Sequence, residues 1–388
     1  MKKLFVIAAA AVAALAACTK NEVNTPDQAI SFQVANYVPQ TKAGEVKFMD
    51  DHFNTFAWFH ANATDPAQIF MNDETIKFQS NDTWAADRLY FWPKTGSINF
   101  YSYAGSPEPD ATNGVTDGVV KYTDKTIAIT DDALLASAAY RYGYANAETN
   151  EYSLQYNSVD TKGVPTLFHH LLSKVSFVVK FSAEGITDTK YKWDLVVNSA
   201  SVKYAPTGSL TVTYTDPGTT GQAWPWTDAG IRWTNTSTAN TTVNAPATGD
   251  VDPVTNAVVT EADPIAAAGI QTVTATSAGD AISAGKTIIR EIAVLPQDIT
   301  AATGSNATFS INYTLTSYYN NVKHIEETVD LVDISLSKFV TAFTAWNMNY
   351  KYVYNVIIKP NKTVTFDPAV VPWADGGSAT YTYPNDVD

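Results

Sequence analysis

Cysteine is nearly absent from this chain. Cys18 is the only one in 388 residues, so no internal disulfide can form and apolar burial must hold the fold. Charge is sparse too, at 16% of residues and without a long run of one sign, which excludes a disordered charged chain. Beyond residue 17 no apolar run is long enough to cross a bilayer as a helix, and 3.6-residue periodicity is almost missing. Enzyme signatures are lacking as well: there is no nucleophile elbow, phosphate-binding loop or dinucleotide fingerprint. The five histidines offer one adjacent pair, His169-His170. Neighbours on a strand point to opposite faces, so this pair is expected to be structural, with no metal and no cofactor bound. Residues 110–121 have the outline of a calcium loop, but position twelve is Lys121 where the loop needs a bidentate Glu, so the match fails. Asp50-Asp51-His52 reads as a turn entering a strand rather than a cation site. A net charge of −14 opposes nucleic acid and anionic lipid surfaces as partners.

What is present starts at the N-terminus. Lys2 and Lys3 precede an apolar run of 14 residues, 4–17, which ends at Leu15-Ala16-Ala17-Cys18. A run this short, closed by small side chains, predicts a secretory signal over residues 1–17 rather than a membrane helix. The cysteine that follows can accept a diacylglycerol, and lipidation explains an unpaired thiol in an exported chain. Thr19 stands where an Asp would signal retention at the inner membrane, so the expected destination is the outer membrane.

The rest of the chain is rich in strand patterning. Apolar and polar residues alternate between turn residues, as in half-buried antiparallel strands. Phe309, Ile311, Tyr313 and Leu315 share one face; so do Val175, Phe177, Val179 and Phe181, and Tyr352, Tyr354, Val356 and Ile358. Leu210, Val212 and Tyr214 form a shorter set, and residues 98–100 and 288–294 add further strands. Many short strands predict an all-β protein of antiparallel β-sandwiches. Thr161-Lys162-Gly163-Val164-Pro165 marks a boundary, giving an N-terminal domain over 43–163 and a C-terminal domain over 164–373. Residues 216–280 turn to Thr, Asn, Ala, Gly and Pro, the texture of a long surface insertion with at most a minor hairpin.

Several segments together resemble the fimbrillins, the subunits of type V pili. These are Ile30-Ser31-Phe32 with Thr41-Lys42-Ala43, then Tyr90-Phe91-Trp92-Pro93 with Asn99-Phe100-Tyr101-Ser102-Tyr103, then Phe168-His169-His170-Leu171-Leu172-Ser173-Lys174-Val175. Val294-Leu295-Pro296-Gln297 and the set Trp346, Asn349, Tyr350, Tyr352, Tyr354, Val371 and Trp373 complete an ordered match from Ile30 to Trp373. The resemblance implies two transthyretin-like antiparallel β-sandwich domains in tandem, export as a lipoprotein, and polymerisation triggered by a protease. Its processing site falls at Lys42 and Ala43; Lys42 replaces the family's usual Arg and still suits a trypsin-like protease.

The residues themselves make such a mechanism physical. Ile30, Phe32 and Val34 alternate with Ser31 and Gln33, so this segment is expected to be an outer latch strand whose apolar face completes a sandwich. Cutting after Lys42 would separate the propeptide, 18–42, from the body and bare strand edges for another chain. The tail, 374–388, opens with Asp375-Gly376-Gly377 and carries Ala379, Tyr381 and Tyr383 on one face, which fits a donor strand or an ordinary last strand. Expected partners are other pilin subunits, the processing protease, the outer membrane before processing, and a surface ligand. Trp224, Trp226 and Trp233 form a cluster read either as an adhesive, glycan-binding surface or as local packing. The competing function is a monomeric surface lipoprotein that binds polysaccharide; a hydrolase is disfavoured.

Overall fold

The computed structural model describes residues 29–34, 52–62, 65–79, 83–93, 96–141, 153–154, 163–166, 168–214, 231–246, 250–252, 254–258, 270–299, 307–338, 343–362 and 364–372. Among them the helical content is one 3-10 turn at Leu336–Lys338; the chain is all-β. The early strands are β1 (Phe32–Val34), β2 (His52–His60), β3 (Gln68–Phe78), β4 (Trp84–Ala86), β5 (Ser97–Ala104) and β6 (Val115–Thr116). They continue with β7 (Val119–Thr126), β8 (Leu134–Arg141), β9 (Ser153–Leu154), β10 (Val164–Thr166) and β11 (His169–His170). Next come β12 (Ser173–Phe181), β13 (Tyr191–Tyr204), β14 (Thr207–Thr213), β15 (Thr234–Asn235), β16 (Thr241–Asn244) and β17 (Ile270–Thr274). The last are β18 (Lys286–Val294), β19 (Thr308–Tyr319), β20 (Val322–Ser335), β21 (Tyr350–Ile358) and β22 (Val364–Pro372).

The N-terminal unit is built on a nine-stranded sheet ordered β10-β1-β4-β3-β2-β5-β8-β11, with β9 also on β8. The two ends of this order, β10 and β11, are successive parts of one stretch of chain, so the sheet curls back on itself. The first part bonds β1 and the second bonds β8, through His169↔Leu135 and His170↔Leu134. Inside the curl sit Phe32, Phe53, Ile76, Trp84, Ile98, Phe100 and Phe168. β5 is buried on both faces. Ile98 and Phe100 point into this inner core, while Tyr101 and Tyr103 point outward to a second one.

That second core lies beneath a four-stranded sheet ordered β15-β14-β7-β6. β14 and β15 come from beyond the expected boundary at 163, yet they pair with each other and with β7 of the N-terminal unit. β10 and β11 likewise complete the N-terminal sheet from the far side of that boundary. The chain therefore crosses between the two units more than once. Val164 and Pro165 of the boundary signal lie within β10 itself.

The C-terminal unit is a sandwich of β18-β12-β21-β22 against β16-β13-β19-β20, with β17 also on β13. Alternation produces it: Phe177 stacks between Phe309, 4.7 Å away, and Tyr354, 4.9 Å away, and all three are fully buried. The β19–β20 hairpin turns on Asn320 and Asn321, both at positive φ (53° and 63°), the conformation a two-residue hairpin with right-handed strand twist demands. The expected surface insertion contributes strands that pair with other parts of the chain rather than with one another. Its described parts supply β15, β16 and β17, which extend existing sheets. These strands are short, Thr- and Asn-rich and largely exposed, so they lack the apolar alternation that reveals the others.

Candidate functional site

The first strand is the most unusual element. Phe32 is fully buried, and Ile30 and Val34 are each 5% exposed. Their apolar alternation turns all three into the inner core, where Phe32 meets Phe53 and Phe100 edge-on with ring centroids 5.7 and 5.8 Å away. The expectation of an outer strand is corrected. β1 lies between two neighbours, parallel to β10 through Phe32↔Val164, Gln33↔Pro165 and Val34↔Thr166, and antiparallel to β4 at Phe32↔Trp84. Sequence alternation reports a buried face but carries no information about how many strands flank it.

Backbone bonds hold both sides. Val164 N–H donates to the Ser31 carbonyl at 2.7 Å, and Ile30 N–H donates to the Tyr90 carbonyl at 2.7 Å. Pro165 has no N–H, and the parallel ladder accommodates it because the bonds to β1 come from the residues flanking the one opposite Gln33. Gly163, at φ +79°, brings the incoming chain so close that an added Cβ would lie 2.6 Å from the Ser31 oxygen. Release of β1 would leave a gap one strand wide between β10 and β4, bonded from both sides and lined by aromatic hydrocarbon.

Other predicted positions fall differently. Trp233 is 7% exposed, packs 5.8 Å from Tyr122 and donates its indole N–H to the Leu171 carbonyl at 2.7 Å. It belongs to the second core and forms no exposed adhesive surface; the packing alternative holds for this residue. Trp224 and Trp226 lie outside the described residues, as do Cys18, Lys42, Ala43, Ala379, Tyr381 and Tyr383. His170 is buried with its Nδ1 2.6 Å from Asp132, whereas burial, reinforced by His170, pushes the His169 pKa down to about 4. Among the described residues no three His, Cys, Asp or Glu side chains gather as metal ligands. In the rejected calcium loop, Asp110 accepts from the backbone and hydroxyl of Thr123 and pairs with Lys125 at 3.2 Å, which pins a turn.

One polar cluster escaped sequence reasoning. His60 Nε2 lies 2.9 Å from Asp117, Asn99 donates to the same carboxylate at 3.0 Å, and Gly118 N–H donates to the Tyr101 hydroxyl at 2.8 Å. Burial first, and the Asp117 charge second, raise the Tyr101 pKa far above its ordinary value. The residues come from β2, β5 and the β6–β7 turn, so the cluster fastens the four-stranded sheet to the curled one. No local motif announces it, because its members are far apart in the chain. A second pin involves Gln297 of the Val-Leu-Pro-Gln motif, whose amide donates to the Ala205 and Leu295 carbonyls at 3.1 Å.

No family model matches the chain, and no curated protein matches it. Solved structures do. A fimbrial protein from Bacteroides vulgatus overlays with a TM-score of 0.45 at 14% identity, covering 89% of this chain and 99% of that one. A fimbrilin from Porphyromonas gingivalis gives 0.42 at 9% identity, covering 90% and 98%. A protein from Bacteroides uniformis, assigned provisionally to cell adhesion, gives 0.39 at 12% identity, covering 90% and 99%. Its solved neighbours are thus fimbrial and adhesion-type proteins.

Proposed function

We propose that this chain is a structural pilin subunit of a cell-surface fimbria, exported as a lipoprotein acylated at Cys18 and assembled by strand replacement. A trypsin-like protease cuts between Lys42 and Ala43, β1 leaves with the lipid segment, and a strand from another subunit takes its place. The observation that carries this reading is the position of β1: three residues long, with Phe32 fully buried at its start, and held between β10 and β4. Burial of Ile30, Phe32 and Val34 is worth roughly 5 to 9 kcal/mol, so losing β1 costs the fold enough that a replacement strand is strongly favoured. Vacating the gap also bares backbone donors and acceptors on two facing strands, a template for β-augmentation.

The tail carrying Ala379, Tyr381 and Tyr383 is the candidate donor into a neighbour. The ordered motifs that resemble fimbrillins support the same reading, and the role is structural rather than catalytic. The polysaccharide-binding alternative is weakened by the burial of Trp233, which takes one member from its aromatic cluster. Electron microscopy of the protein before and after a trypsin-like protease tests the proposal. With the other subunits of the fimbria present, fibres or ladders that form only after cleavage at Lys42 are expected, and assembly unchanged by cleavage would refute it.

A further inference from the structure

The gap around β1 has a defined shape. Its middle position holds Phe32, fully buried, with Phe53 and Phe100 edge-on and Trp84 and Val164 as register partners. Its outer positions hold Ile30 and Val34. The side chains required at alternate places are therefore aliphatic, plain aromatic and aliphatic.

The chain's own tail meets this pattern badly in every register. With Tyr381 in the middle, either direction puts Ala379 in one flanking place and Tyr383 in the other, one too small and one too large. The Tyr381 hydroxyl then enters the Phe53 and Phe100 cage. A shift of two residues centres Ala379 or Tyr383 instead, and a shift of one turns Ser378, Thr380 and Thr382 inward.

We infer that the gap left by β1 selects against this chain's own tail and takes a strand of a different subunit, one with a hydrocarbon side chain such as Phe or Leu between two branched aliphatics. The inference rests on the strand-replacement reading above. It makes the fibre mixed at this joint: the tail of this chain enters some other gap, and the gap of this chain receives some other tail. Selection acts through the buried hydroxyl and through side-chain volume. Backbone bonding is common to every strand that enters.

The test uses the full chain nicked after Lys42, with fluorescent peptides competing against the resident strand. One peptide spans residues 26–38, a second is the same with Phe32→Tyr, and a third spans residues 376–388. The first peptide should exchange into the gap. The Phe32→Tyr peptide should bind roughly 5- to 150-fold more weakly, the cost of an unpaired buried hydroxyl, and the tail peptide at least as weakly. A tail peptide that binds as tightly as the first overturns the inference while leaving strand replacement intact. If no peptide exchanges into nicked protein that remains folded, strand replacement fails and the inference with it. In the uncut chain Phe32→Tyr should lower the thermal midpoint, and an unchanged midpoint also counts against the inference.

Discussion

Val164 donates its backbone N–H to the carbonyl oxygen of Ser31 across 2.7 Å, joining the first strand to a segment that lies beyond the middle of the N-terminal unit's sequence. That bond makes β1 an internal member of a curled sheet. Removing β1 would open the sheet between two strands that each lose a partner, so under the proposed strand replacement the stability of the uncut chain and its acceptance of another strand would depend on the same contacts.

Phe32→Ala should destabilise the uncut protein by about 3 to 5 kcal/mol, since a fully buried aromatic ring is replaced by a cavity between Phe53 and Phe100. Denaturant midpoints measure it. A loss below about 1 kcal/mol would mean that β1 contributes little to the core.

Gly163→Ala should weaken the β1–β10 pairing by more than about 1 kcal/mol, because alanine disfavours φ +79° and its Cβ would press on the Ser31 carbonyl. Amide exchange at residues 30–34 should quicken more than exchange in β12 or β19. Equal change in both units would show that Gly163 acts on the whole fold.

His169 should make stability depend on pH. Burial lowers its folded pKa to about 4 against 6.5 for the free side chain, so the unfolded chain takes up a proton that the folded chain refuses. The contribution is complete above pH 6.5, declines as pH falls toward 4, and amounts to at most about 3 kcal/mol. His169→Gln should flatten this part of the profile when urea midpoints are compared at pH 7 and pH 4.5. An unaltered slope would assign the dependence to other groups.

Trp233→Ala should cost about 3 to 5 kcal/mol through loss of packing on Tyr122 and of the bond to Leu171, whereas Trp233→Phe should cost less. Calorimetry checks both variants. Wild-type melting of the alanine variant would return Trp233 to the surface.

Deleting residues 376–388 should leave the cut protein folded yet unable to extend fibres with its partner subunits, if the tail is the donor. Fibres from the truncated protein, seen by electron microscopy, would remove the donor role from Ala379, Tyr381 and Tyr383.

Much of the strand content was readable directly. The alternating sets around Phe177, Tyr313 and Tyr354 fall on β12, β19 and β21, and Ile30, Phe32 and Val34 are buried together as their spacing predicts. Alternation is a local property with period two, and burial of one face enforces it. Trp233 was less legible, because an aromatic residue in a polar stretch looks the same whether it is exposed or reaches back into a distant core. The His60, Asn99, Tyr101 and Asp117 cluster had no signal, since its members meet only when β2, β5 and the β6–β7 turn pack together.

By itself, the sequence determined an all-β chain without disulfides and the faces its main strands bury. Only the tertiary structure decided that β10 and β11 curl one sheet into a near-closed wall, that β14 crosses back to the N-terminal unit, and that β1 has a neighbour on each side. The physical reason is that side-chain patterning selects which face is buried. Strand neighbours are selected by hydrogen bonds between backbones, which are alike in every residue but proline and meet only after distant segments have packed.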